Sequence, residues 1–120
     1  MAILDRRSAT CFSIVSRSQP ISTETASAAL FVGEIDGEIC TSCLVGHDGH
    51  RGWLYAVAVS PDHRRRGIGT ALVNFTLDAL REIGCKKVNL QIRADNTAVA
   101  EFYNALGFSA EDRMSMGTFI

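Results

Sequence analysis

Apolar and polar positions alternate from Ala29 to Ile35 and again from Glu38 to Val45, and a period of two marks half-buried strands. Asp36-Gly37 between them suits a tight hairpin turn. Trp53 to Val59 reads as a third antiparallel strand. Ile68, Ala71, Leu72, Phe75, Ala79 and Ile83 then recur at helical spacing, and Gly84 stands where a left-handed residue would end that helix. Val88, Leu90 and Ile92 alternate again. A strand–helix–strand succession crosses over right-handed, so Lys87 to Arg93 is predicted to lie parallel to Trp53–Val59. Asn96 or Asp95 caps a second helix running to Gly107, and Met114 to Phe119 reads as a last strand. Cys11 to Val15 is a candidate first strand and Ser22 to Ala29 a candidate helical turn or two. Residues 1–28 otherwise carry no assignable pattern. The whole is an α/β chain with a mixed central sheet: an antiparallel meander, a β-loop-α-β crossover and a second helix, after a shortened N-terminal region.

Composition narrows the class. At 120 residues the chain is read as a single domain, 1–120, with one core. Its net charge of -1 makes the arginines at 64–66 a local feature of a neutral body, which gives nucleic-acid binding no support. No apolar run approaches the ~20 residues of a membrane span, and Cys11-Phe12-Ser13-Ile14-Val15 is too short for a signal-peptide core. A soluble, cytoplasmic protein without membrane contact is the expectation. The close pair Cys40 and Cys43 would point to opposite faces of a strand, and no second Cys/His pair follows. Buried reduced thiols are therefore expected and no metal site.

The candidate chemistry sits at His63-Arg64-Arg65-Arg66-Gly67-Ile68-Gly69-Thr70. A strand precedes it and a helix follows, so glycines allow close approach while unpaired first-turn N–H groups and the helix dipole favour an anion. The arginines add positive charge, and the expected guest is a phosphate or pyrophosphate. A Walker loop would end Gly-Lys-Ser/Thr, but Gly67-Ile68-Gly69-Thr70 has no lysine. A dinucleotide fingerprint would need a third glycine where Leu72 stands. ATP and NAD by those routes are disfavoured.

What remains, Arg64-x-x-Gly67-x-Gly69 after Val57-Ala58-Val59-Ser60-Pro61, resembles the pyrophosphate loop of the GNAT superfamily of N-acyltransferases. Downstream, Asn96-x-x-x-x-x-Phe102-Tyr103-x-x-x-Gly107-Phe108 is similar to that family's second motif. Gly46 to Gly52 is similar to small bacterial members of the YpeA-like type, and the resemblance covers Leu30 to Phe119. It implies that acetyl-CoA is the cosubstrate, held by Arg64, Arg65, Arg66, Gly67, Ile68, Gly69 and Thr70 and flanked by Asn96. It also implies a splay of parallel strands for the pantetheine arm, an acetyl carbonyl near the backbone of Val57 to Val59, and Tyr103 as proton donor to the leaving thiolate. A tyrosine of pKa ~10 is protonated at neutral pH and can donate.

The implied reaction is acetylation of a primary amine, on a small molecule or a peptide N-terminus, by direct attack. A lysine-type amine is neutral to only ~10⁻³ at pH 7, equivalent to about 4 kcal/mol, so the need for a base depends on the acceptor. Tyr55, His50, Asp48 and Glu34 are candidates, and a water chain is an equal alternative. Family members usually place helices before the hairpin to wall the acceptor site, and too few residues precede Ala29 for the full set. A homodimer that closes the cleft is the resulting expectation, through residues 1–28 or the strand near Met114–Phe119. Two rival readings are a degenerate family member serving as an acyl-CoA sensor or partner module, and a nucleotide-phosphate binder using the same loop.

Overall fold

The computed structural model describes residues 2–4, 11–16, 27–64 and 67–120. Six strands form one sheet in chain order: β1 (Ala2–Leu4), β2 (Cys11–Ser16), β3 (Ser27–Ile35), β4 (Glu38–His47), β5 (Gly52–Val59) and β6 (Val88–Leu90). The first five make an antiparallel meander and β6 lies parallel to β5. The crossover between β5 and β6 is α1 (Ile68–Glu82), and α2 (Thr97–Ala105) follows β6. Mixed sheet, hairpin and crossover match the pattern read from the residues. At the β3–β4 turn Asp36 and Gly37 both have positive φ, 52° and 81°, the form whose hand suits a twisted hairpin.

α1 is amphipathic, and Leu72, Val73, Thr76 and Leu80 are fully buried against the sheet. Phe31 on β3 and Phe75 on α1 meet edge to face at 5.3 Å. Close packing reaches the backbone at Gly52, where a Cβ would stand 2.7 Å from Leu80 Cδ1. Gly84, at φ 90°, ends the helix. Its N–H donates to Arg81 O and that of Cys85 to Leu80 O, the paired bonds of a Schellman motif. α2 ends in the same way: Gly107 N–H donates to Asn104 O and Phe108 N–H to Tyr103 O. The Phe108 and Tyr103 rings, 5.4 Å apart, make the hydrophobic contact that accompanies such caps.

Both helices lie on one face of the sheet. Opposite them, Leu44 and Tyr55 are 40% and 62% exposed, whereas Cys43 and Val45 on the helix side are fully buried. Cys40 and Cys43 are free thiols inside the fold. No helix among the described residues is long and apolar enough to cross a membrane.

Four expectations change. Met114–Phe119 is not a strand: residues 109–120 are exposed and carry no ladder, because strand propensity without a backbone partner makes no sheet. Ser27 to Ala29, read within a helical turn, instead opens β3, where Ala29 is buried and pairs with Val45; residues 22–26 lie outside the described residues. Tertiary pairing overrides a weak local preference there. The strand read over 87–93 shortens to Val88–Leu90, for a reason that matters to the site. β1 had no counterpart in the sequence reading.

Candidate active site

The site begins where β5 and β6 part. Their register runs Gly52↔Val88, Trp53↔Asn89, Leu54↔Leu90 and stops, while β5 continues to Val59 paired only with β4. Tyr55 to Val59 therefore present backbone groups that have no ladder partner on the β6 side among the described residues. A cavity of about 380 Å³ opens at the fork, lined by Trp53, Leu54, Tyr55 and Gln91.

β5 is also bulged at this level. Leu44 pairs with Ala56 and Val45 with Leu54, leaving Tyr55 unmatched. An extra residue bends the strand and re-aims its side chains. The Tyr55 ring swings over Gly46, where a Cβ would stand 2.7 Å from Tyr55 Cε2. The alternation along β5 by itself reveals neither the bulge nor the splay. The signal was Gly46 itself, since glycine inside a strand often marks close approach by a neighbour. Beyond the bulge, Val57 and Val59 turn their side chains into the core, so only their backbone is offered to the cleft.

β5 leads directly into the anion loop. Ser60 N–H still donates to Cys40 O at 2.7 Å, Pro61–His63 form one 3-10 turn, and Gly67 at φ 77° starts α1. Gly67 is the N-cap and supplies no side-chain bond, and the first turn holds no acidic residue. Without a side-chain cap or an acidic residue in its first turn, the positive end of this 15-residue helix favours an anion. Gly69 is buried; a Cβ there would lie 3.1 Å from Val59 Cγ2 and 3.8 Å from Phe102 Cζ. That glycine lets the helix start sit down on both β5 and α2. Arg64 Nε donates to Val59 O at 3.5 Å, tying the loop to the strand end. Arg65 and Arg66 lie outside the described residues.

Asn96 caps α2: its Oδ1 accepts from Val99 N–H at 3.3 Å. It thereby sets where the helix begins, close to the end of β6. From α2, Tyr103 is buried, 8% exposed, with its ring edge to face with Phe102 at 5.0 Å and Phe108 at 5.4 Å. Burial pushes its hydroxyl up to about 12, with a further upward contribution from Cys43. Cys43 is the cross-strand partner of Val57, but Tyr103 lines the groove beside β6 with Leu77, Leu80, Val88 and Leu90 and is not among the residues that line the cavity at the fork. Burial also pushes Cys43 up to about 11, opposed by a hydrogen bond with Thr76.

Both groups are held in their neutral forms in the native state. An unfolded chain would release those protons near the ordinary values of 9.0 and 10.0. Their contribution to stability is thus complete below about pH 9 and is lost as pH rises through about 11–12. Urea midpoints are expected to fall across that window; a flat midpoint would show that neither group is buried in solution.

The base candidates separate by position. Asp48 Oδ1 accepts from His50 N–H and Arg51 N–H, both at 2.9 Å, and these bonds hold its carboxyl below the usual carboxylate range. Asp48 and His50 thus build the β4–β5 turn, at the end of β5 remote from Val57. The turn does not fold back to the cleft. Tyr55 stands at the fork, and Glu34 is half-buried on β3.

Comparison with known proteins agrees with this geometry. The model of the acetyltransferase (GNAT) family matches residues 5–108. The chain belongs to that family. It is 43% identical over 81 residues to an acetyltransferase of Sodalis glossinidius (strain morsitans), covering 68% of this chain and 57% of that one. To an acetyltransferase of Pectobacterium atrosepticum it is 42% identical over 86 residues, covering 72% and 61%. The matched region spans about three fifths of those curated relatives. Among solved structures, the aminoglycoside acetyltransferase AAC(6')-Iy in complex with the bisubstrate analogue CoA-S-monomethyl-acetylneamine superposes with a TM-score of 0.70 at 20% identity, over 78% of this chain and 69% of that one. At that identity the likeness is one of fold. The GNAT resemblance read from Arg64–Thr70 and Asn96–Phe108 and the GNAT architecture therefore coincide in one chain.

Proposed function

We propose that this GNAT chain transfers an acetyl group from acetyl-CoA to a primary amine. One observation carries the reading: the stretch of β5 without a β6 partner ends at Val59, and the start of α1 packs directly on that residue at Gly69. The helix start suits a pyrophosphate, and the strand stretch suits an extended amide-bearing arm that hydrogen-bonds like an added strand. The amine nitrogen attacks the thioester carbon; a C–N bond forms, the C–S bond breaks, and its electron pair leaves on sulfur. Tyr103 supplies the proton that the thiolate takes up, the amine loses one to Glu34 or to water, directly or relayed through the Tyr55 hydroxyl, and solvent returns a proton to Tyr103. A backbone N–H between Val57 and Val59 stabilises the carbonyl oxygen as charge develops. Asn96 flanks the arm by fixing the start of α2.

The acceptor enters from the helix-free face, where Tyr55 and Leu44 are exposed. A small-molecule amine is consistent with the aminoglycoside named for the superposed structure, and a peptide N-terminus fits the same chemistry. A second copy of the chain completes the acceptor side. Calorimetric titration tests cosubstrate choice: acetyl-CoA and CoA bind, ATP at equal concentration does not. Binding of ATP without acetyl-CoA would assign the loop to nucleotide phosphates instead.

A further inference from the structure

The cavity of about 380 Å³ at the fork is lined by Trp53, Leu54, Tyr55 and Gln91, with no charged side chain among the described residues that line it. Two of those four are aromatic. Leu54 turns into the core, so Trp53 on its one side and the bulged Tyr55 on its other both belong to the helix-free face. Trp53 pairs across the ladder with Gly46, and the Tyr55 ring lies over that same glycine, with its Oη 3.1 Å from where a Cβ would stand. Two rings thus flank one residue that has no side chain.

The polar groups around these rings have spent their donors and kept their acceptors. Gln91 Nε2 donates to Ser115 Oγ at 3.0 Å, which leaves Oε1 as the open end of that amide. Asn89, the β6 partner of Trp53, donates from Nδ2 to Glu111 Oε1 at 2.6 Å, and an ionised carboxylate only accepts, which fixes the amide's orientation. Asn89 Oδ1 is then buried without a partner among the described residues. The Trp53 side chain has a single donor, and it reaches Asp48, whose carboxyl is held low first by Arg51 N–H and His50 N–H and more weakly by this indole. Aromatic carbon, a phenol oxygen and two amide oxygens remain. A buried acceptor without a donor calls for one, and an ammonium brings three donors and no acceptor. Aromatic faces attract the same group through their quadrupole.

We propose that Trp53, Tyr55 and Gln91 form a subsite for a second ammonium group, so that the acetyl acceptor is a linear diamine. The inference rests on the acetyl-transfer reading above and adds the acceptor class to it. Leu54 and Tyr55 precede Val57 by three and two residues, ~7–10 Å along a strand at ~3.3 Å per residue. A saturated chain advances ~1.2 Å per bond, so roughly five to seven carbons between the nitrogens span that gap. One end stays charged between the rings while the other, deprotonated, attacks the thioester. Holding the charge on ring faces and amide oxygens avoids the cost of desolvating a carboxylate beside it.

Trp53 is the single tryptophan of the chain, so its fluorescence reports the subsite directly and without turnover. Hexamethylenediamine is expected to change that fluorescence saturably, and hexanediol at equal concentration to leave it unaltered. In the transfer assay kcat/KM for hexamethylenediamine should exceed that for aminohexanol, which keeps the length and one amine, by roughly tenfold, a cation–π contact between the exposed and desolvated limits. Trimethylenediamine is too short to span the gap and should show no such advantage. Trp53→Leu should bring the diamine-to-aminohexanol ratio near unity, and Trp53→Phe should keep most of it. Each ratio is taken within one variant, so a general loss of folding or turnover cancels. Unchanged fluorescence with the diamine, or a ratio near unity in the parent, would overturn the subsite even where amines are acetylated. A saturable fluorescence change without amine-dependent thiol release supports the subsite and counts against acetyl transfer alone.

Discussion

Gly69→Val is expected to lower acetyl-CoA affinity on the order of 10²-fold, the consequence of losing one or two charge-assisted hydrogen bonds at about 1.5–3 kcal/mol each. The physical cause is displacement of the helix start. Even a Cβ at this position would press on Val59 Cγ2 at 3.1 Å, and the branched methyl groups of valine would meet Val59 and Phe102 together. Overpacking of this kind costs about 1–3 kcal/mol, so the melting temperature should fall by several degrees while the sheet stays folded. Gly67→Ala separates the two effects. Nothing lies within 4 Å of its Cβ position, but φ of 77° costs an alanine about 1–2 kcal/mol. Its affinity loss should be smaller than that of Gly69→Val. If Gly69→Val binds acetyl-CoA as tightly as the parent, the loop does not hold the pyrophosphate.

Tyr103→Phe is expected to keep acetyl-CoA affinity and slow turnover by ~10²–10⁴-fold, the usual contribution of a positioned general acid. The substitution preserves the ring contacts with Phe102 and Phe108 and removes only the hydroxyl. Thermal stability should therefore change little. With its hydroxyl pushed up to about 12, Tyr103 stays protonated throughout the neutral and mildly alkaline range, so no loss of rate from its ionisation is expected there. A change below threefold when chemistry limits the rate would leave Tyr103 as a packing residue only.

How much of this was legible in the sequence depends on how local each feature is. Asp36-Gly37, Gly84, Gly107 and Asn96 announce themselves because a positive φ or a capping side chain is a demand of the backbone at that residue. The anion loop was legible for the same reason: Gly67 must turn and Gly69 must pack. The bulge at Tyr55, the early end of β6 and the idle segment 114–119 were not, since each depends on a partner remote in sequence. Leu44 cannot reveal that it pairs with Ala56 rather than Tyr55. Val88 to Leu90 alternate no differently from Gln91 to Arg93, and only the divergence from β5 ends the strand. Tyr103 lies between these cases: its place in α2 follows from spacing, whereas its burial beside Cys43 follows from how α2 docks.

The sensor alternative draws on the exposed helix-free face at Leu44 and Tyr55, where an acceptor wall would stand. Acyl-CoA binding alone cannot separate a sensor from an enzyme, because the loop and the fork serve both. The deciding measurement is thiol release from acetyl-CoA in the presence of a library of primary amines, with products read by mass spectrometry. Acetyl transfer predicts that at least one amine accelerates thiol release well above hydrolysis, with one N-acetylated product formed per thiol and the rate falling sharply in Tyr103→Phe. Tight acetyl-CoA binding with no amine-dependent thiol release across the library would contradict it.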